Sequence, residues 1–314
     1  MTSTLGYNLV NYQCYHSRLY LGQHSVLVCH RAVSEMHSIN YSQFSFFNIY
    51  FPAEFVVHVE INRPRKLNAF NKDTWTQLCD IFHLISTDPN VRVAILSGAG
   101  ERAFTSGLEL SPELLAMLNG GDYEEERARF MTRRAIRDFQ DSISAIENCS
   151  KPVIGLAHGV AFGLAIDILS ATDIRICTSD VRFSVKEVDI ALAADIGTLQ
   201  RLPKVVNSLS WCKDVVYTAR VFGAQEAHVQ GFVSNVVASK EEGLEAAFEL
   251  AKIIVAKSPV AVQGSKHLIN YSRDRTVQDG LEYTATWNAF AIGKDMKDAV
   301  SSTMSKRKPQ YGKL

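Results

Sequence analysis

The stretch that most limits the fold is KPVIGLAHGVAFGLAIDILSA, residues 151–171, which is apolar for almost its whole length. A run of about 20 such residues is long enough to cross a bilayer. His158, Asp167 and the glycines Gly155, Gly159 and Gly163 argue against that use, because polar groups and helix breakers are costly in hydrocarbon. A buried strand, a glycine turn and an apolar helix account for the same pattern without lipid, so no membrane span is expected.

The 314 residues, 46% of them apolar and 21% charged, are enough for a substantial core. Lys and Arg together number 33, as do Asp and Glu, so no overall basic field draws the chain to nucleic acid. Cys14, Cys29, Cys79, Cys149, Cys177 and Cys212 are scattered, with no CxxC pair and no His/Cys metal spacing. They are expected to be free thiols, with no disulfide and no zinc. No basic start followed by an apolar stretch and a small-residue cleavage site is evident.

Residues 1–43 are rich in Tyr, His and Ser, contain only Glu35 as an acid, and show no sustained period. They are expected to be an extension without a packed structure, with a faint likeness to a transit peptide. From Phe44 onward the pattern is regular. FVVHVEINRP (55–64) and VRVAILSG (91–98) read as strands, and NKDTWTQLCDIFHLIS (71–86) as a helix with Asn71 as N-cap. A charged helix is expected over 123–147, a strand at KPVIGLAHG, a helix at GLAIDILSATD and strands within IRICTSDVRFSV. After Asp195 the segments SWCKDVVYTAR, EEGLEAAFELAKIIVAKS and 276–306 carry helical spacing. Alternation of this kind is the signature of an α/β fold.

VKEVDIALAAD, residues 185–195, threads Glu187, Asp189 and Asp195 through an apolar segment. Carboxylates are rarely buried unless paired or used, so the segment is either a surface strand and turn or an acid/base site. Asp189 is expected to cap a turn or pair with Lys186. Two turns, RAFTSGLEL (102–110) and HGVAFGLAIDIL (158–169), each place a glycine, Gly107 or Gly163, before a residue with an available backbone N–H. Two such donors on one carbonyl oxygen would form an oxyanion hole; ordinary strand-to-helix connections would look the same. His158, Trp75, Trp211 and Trp287 are read as structural. Lys266 and the basic run at 305–308 could meet phosphates, although exposed solvated lysines explain them as well.

NRPRKLNAFN, RAFTSGLEL, KPVIGLAHGVAFGLAID and VKEVDIALAADIGTLQRLPKV together resemble the crotonase, or enoyl-CoA hydratase/isomerase, superfamily, and within it most closely the dienoyl-CoA isomerase branch. The resemblance covers roughly residues 50–310. It implies a crotonase-like spiral, a ββα superhelix, as an α/β core over residues 44–245, with a helical C-terminal region at 246–314. It implies that the N–H groups of Leu108 and Leu164 form the oxyanion hole, and that Ser106, Gly107 and Gly163 line the site for the CoA thioester. By the same resemblance Glu187 exchanges a proton at C2 and Asp195 at C6. Asp167 would lie close to Asp195, the repulsion leaving one carboxyl protonated at neutral pH. The reaction implied turns a 3,5-dienoyl-CoA into a 2,4-dienoyl-CoA in fatty-acid β-oxidation. It uses no metal and no cofactor beyond the CoA of the substrate.

The sequence departs from the family where three successive glycines are usual, having Gly163, Leu164 and Ala165, and where hydratases carry a glutamate it has Asp167. An amide N–H survives any side chain, but these residues take space from the substrate. A hydratase or isomerase for an acyl-CoA of a specialised biosynthetic route, and a non-catalytic scaffold, are the competing readings. Crotonase-like chains assemble as trimers or hexamers, so a homo-oligomer is expected. The ending YGKL resembles the S-K-L peroxisomal address with Gly312 at its first position; the mitochondrial matrix is the alternative.

Overall fold

Alternating and continuous apolar runs become strands in a computed structural model that describes residues 39–112, 116 and 123–314, together with the backbone of 18–21 and 24–27. The chain divides into two units, Met1–Asn40 and Tyr41–Leu314. In the first, β1 (Arg18–Leu21) pairs antiparallel with β2 (His24–Leu27). Of the rest of the expected extension 1–43, residues 39–43 are described, the last three within the second unit, and the others lie outside the described residues. Packing of the second unit begins at Tyr41, whose hydroxyl donates to Asp88 Oδ2 at 3.0 Å.

The second unit is organised by two sheets. The larger runs in the order β12 (Asn235–Val237), β9 (Ile174–Thr178), β7 (Val153–Ala157), β5 (Val91–Gly98), β4 (Phe55–Ile61), β3 (Phe47–Ala53). All neighbours are parallel except β3, which lies antiparallel to β4. The smaller sheet runs β11 (Phe222–Gly223), β10 (Arg182–Ser184), β8 (Val160–Phe162), β6 (Ala103–Thr105). β3 was not anticipated because it contains Pro52, which only an edge strand tolerates.

The connectivity produces the spiral. β5 enters the large sheet, β6 the small one, and helix α2 (Glu125–Asn148) follows; β7, β8 and α3 (Leu164–Ala171) repeat the step, as do β9, β10 and α4 (Thr198–Val205). This is the expected ββα core. α1 (Lys72–Thr87) is capped by Asn71, whose side chain accepts from Thr74 N. It packs on α2, where the rings of Trp75 and Phe139 stack at 4.0 Å. α5 (Leu209–Thr218) and α6 (Ala224–Val229) lead to α7 (Lys240–Val255), whose Ala247 and Ala251 close the core over Val56, Val93, Ile95, Ile154, Leu156 and Ile176. α8 (Pro259–Ser272), α9 (Val277–Ala291) and α10 (Lys294–Met304) form the expected helical C-terminal region.

The apolar run at 151–171 is thus two short strands and a helix. All eight residues of α3 are buried, as a helix apolar on every side requires. Among the described residues no helix is long and apolar enough to cross a membrane.

Candidate active site

The first glycine turn is fixed by its neighbours before any substrate is considered. Asn68, fully buried with φ +56°, donates to Ala99 O at 2.9 Å and Ala103 O at 2.8 Å, pinning the residues that precede α1 against the end of β5. Ser106 N donates to Leu67 O at 2.9 Å, Phe70 N to Gly107 O at 2.8 Å and Glu109 N to Phe70 O at 2.7 Å. Phe70 therefore bonds on either side of Leu108 and leaves the Leu108 N–H out of the ladder.

The second turn meets the first at Gly107. Its φ is +98°, and a Cβ there would stand 2.9 Å from Phe162 O and 3.6 Å from Leu164 N. Gly163 precedes α3 with φ +54° and ψ −115°, a conformation open to glycine, and Leu164 is the first helical residue. The Leu164 N–H has no residue four positions earlier within the helix to receive it. The two turns thus meet at Gly107 and Leu164 N; Ser106 and Leu108 flank Gly107 in the first turn, and Gly163 precedes Leu164 in the second.

Carboxyl groups gather here: Asp167 lies in the first turn of α3, Glu187 packs on Gly163, and Asp195 acts on Glu187 through its charge. Gly163 N donates to Ser184 O at 2.9 Å, so the end of β10 runs past the turn. Glu187 then comes back onto it: a Cβ at Gly163 would lie 3.2 Å from Glu187 Oε1. Glu187 Oε2 is buried and has no hydrogen-bond partner. Burial raises the Glu187 carboxyl above its ordinary range, an effect to which the Asp195 charge adds while backbone N–H groups oppose it. Asp195 is raised by burial as well, and its carbonyl oxygen accepts from Gln140 Nε2 at 2.6 Å.

Asp167 is 2% exposed on α3 and accepts at Oδ1 from Thr198 N at 2.6 Å. Burial pushes its carboxyl up to about 7, Glu187 adds to the rise, and Thr198 and Arg201 pull against it. The expected repulsion from Asp195 is thus replaced by repulsion from Glu187. The physical reason is the start of α4: three residues beyond Asp195 the chain presents the Thr198 amide, and not the Asp195 carboxyl, to Asp167 Oδ1. Among the described residues no cluster of His, Cys, Asp or Glu could hold a metal ion.

Gln140, Thr198, Arg201, Glu147 and Glu109 were not anticipated. Arg201 Nε pairs with Glu147 at 3.0 Å, and Glu147 also takes Arg273 NH1 at 2.5 Å. Glu109 pairs with Arg63 and Lys66 beside Leu108, which holds its carboxyl below the usual range. The only sequence signal for these residues was their place inside or near the quoted motifs.

The remaining candidates are structural. Asp189 pairs with Lys186 at 2.8 Å, as expected. His158 is buried with Nε2 at 2.8 Å from Gly100 O, and burial lowers its pKa to about 4, so it is neutral. Trp211 Nε1 donates to Glu226 at 2.7 Å, and Trp287 stacks on His267 at 4.7 Å. Cys79, Cys149, Cys177 and Cys212 are free thiols. Lys266 is a correction: it is neither exposed nor available to a phosphate, being buried with Nζ 2.8 Å from Asp173 and 3.0 Å from Lys151 O.

Comparison with known proteins agrees with this geometry. The family described as Enoyl-CoA hydratase/isomerase matches residues 53–313. The chain belongs to the enoyl-CoA hydratase/isomerase family. A family member from Rattus norvegicus, the mitochondrial Delta(3,5)-Delta(2,4)-dienoyl-CoA isomerase, is 45% identical over 253 residues, 80% of this chain and 77% of its own length. The peroxisomal Delta(3,5)-Delta(2,4)-dienoyl-CoA isomerase of Arabidopsis thaliana is 42% identical over 261 residues, 82% of this chain and 93% of its own. Among solved structures, the enoyl-CoA hydratase from Bacillus anthracis superposes with a TM-score of 0.75 at 27% identity, covering 85% of this chain and 99% of that one.

Proposed function

We propose that the protein is an isomerase that converts a 3,5-dienoyl-CoA into the 2,4-dienoyl-CoA in fatty-acid β-oxidation. The observation that carries this reading is Glu187 packed on the Gly163–Leu164 turn with an unengaged buried oxygen, Oε2, and with Asp167 and Asp195 near enough to interact with its charge. The names of the rat and Arabidopsis relatives support the choice of substrate.

In this reading the N–H groups of Leu108 and Leu164 receive the thioester oxygen, with Ser106, Gly107 and Gly163 lining the site. Negative charge developing on that oxygen meets two donors that need no reorganisation, one of them at a helix start. Glu187 takes the C2 proton, and conjugation spreads the resulting charge over C2, C4 and C6. Asp195 delivers a proton to C6, which leaves double bonds at C2 and C4. Raised carboxyl pKa values suit proton exchange near neutrality better than ordinary ones. Asp167, raised to about 7, holds a proton near neutral pH and limits the negative charge beside Glu187. The chemistry calls on no group beyond the CoA of the substrate.

Assembly with further copies of the chain is part of the reading. Val277, Phe290 and Met304 stand 80%, 87% and 82% exposed on the C-terminal helices and are available to a neighbouring copy. The site of action is an organelle that oxidises fatty acids, the peroxisome by Gly312–Lys313–Leu314, with the mitochondrial matrix as the alternative, and relatives carry both designations.

The test is a spectrophotometric assay with 3,5-octadienoyl-CoA that follows the conjugated product, alongside hydration of a 2-enoyl-CoA. Product growth that is lost in Glu187→Gln and in Asp195→Asn is expected. Hydration without isomerisation would move the protein to the hydratases.

A further inference from the structure

Asp167 is held by an element that the proposed reaction does not use. Thr198 opens α4 directly after Gly197, whose φ of +140° belongs to glycine and which lies against the Arg201 guanidinium. This turn aims the Thr198 N–H at Asp167 Oδ1, 2.6 Å away, with both residues buried. The Thr198 hydroxyl is also buried; Oγ1 makes no hydrogen bond of ordinary geometry, although it stands close enough to Asp167 to help hold that carboxyl down. A buried hydroxyl without a partner is costly and rare. Among the described residues the other buried, unpartnered oxygen of this site is Glu187 Oε2.

The charged groups that act on Asp167 come from two elements. Glu187, on the segment after β10, disfavours its ionisation, while Arg201 on α4 favours it. Arg201 is itself tied to Glu147 and Ser144 of α2 at 3.0 and 2.8 Å, so it cannot move to the carboxylate without leaving them. Thr198 has no such tie on its hydroxyl, and a threonine in a helix occupies two χ1 wells.

We propose that Thr198 is the positioning residue for Asp167: its N–H holds Oδ1 in either protonation state, and its hydroxyl, already beside the carboxyl, aligns into a full hydrogen bond when the proton has left. Asp167 then keeps one orientation whether protonated or ionised, with the second donor fully engaged by the charged form. The inference rests on the reading of Asp167 as the carboxyl group that holds a proton beside Glu187.

The test is an infrared difference titration of the substrate-free protein, with Asp167→Asn identifying the Asp167 band. Thr198→Val keeps the shape and the main-chain N–H and removes the hydroxyl; Thr198→Ser keeps the hydroxyl. The Asp167 midpoint is expected to rise by about one pH unit in Thr198→Val, the scale of one hydrogen bond to a charged group, and to stay near wild type in Thr198→Ser. If Thr198→Val does not fold, Thr198→Ala makes the same comparison. A wild-type midpoint in the variant lacking the hydroxyl, or equal shifts in that variant and Thr198→Ser, overturns the proposal. No substrate enters the titration, so its outcome is independent of whether the isomerase reading holds.

Discussion

Glu187 lies directly against the glycine that opens α3: a methyl group on Gly163 would stand 3.2 Å from Glu187 Oε1. The carboxyl group and the Leu164 N–H are therefore set by one turn, and anything that widens the turn moves both. Gly163 also has φ +54°, which a side chain strains.

Gly163→Ala is accordingly expected to cost about 1–3 kcal/mol of stability and to lower kcat/KM by roughly 10²-fold, the scale of a misplaced catalytic group. Thermal unfolding and steady-state kinetics on the acyl-CoA check the two parts. Wild-type kinetics in this variant would show that Glu187 and Leu164 are not held through Gly163.

Asp167 gives a pH dependence whose sign is fixed. Its folded-state pKa, about 7, lies above the ordinary 3.8, so the folded chain binds this proton more tightly than the unfolded chain. The group's contribution to stability is full below 3.8 and is lost as the pH rises toward 7. Asp167→Asn keeps an acceptor for Thr198 N and removes the titration. Its stability relative to wild type is expected to improve by about 2–3 kcal/mol between roughly pH 5 and pH 8, from about two units of titration. Urea unfolding at the two pH values measures it, and a constant difference would contradict the raised pKa.

Lys266 is buried with Asp173, and Asp173 Oδ2 also accepts from Val153 N at 2.7 Å at the start of β7. Lys266→Ala leaves the partly buried Asp173 carboxylate without its cation and is expected to cost about 1–3 kcal/mol. The KM for the acyl-CoA should stay at the wild-type value. A raised KM with unchanged stability would return Lys266 to the substrate.

These cases mark what was legible in the sequence. Period and capping chemistry located α1, β5 and α3, because Asn71, the run 91–98 and the apolar helix at 164–171 carry their signals within a few residues. The pairing of glycine turns with later carboxylates was readable as a pattern of motifs. The contacts that hold those residues were not, since Gln140 reaches the Asp195 main-chain carbonyl from 55 residues away and Thr198 reaches the Asp167 carboxyl from 31. Lys266 was misread for the same reason: its partner Asp173 is 93 residues distant, and a lone lysine gives no local sign of burial.

The central claim, that a proton leaves C2 and another arrives at C6, is tested most directly by turnover of 3,5-octadienoyl-CoA in heavy water with the deuterium located in the product by NMR. The account predicts 2,4-octadienoyl-CoA carrying deuterium at C6, and no such product from Asp195→Asn. Deuterium at C4 in a 2,5-dienoyl product, or unchanged C6 labelling in Asp195→Asn, would contradict it.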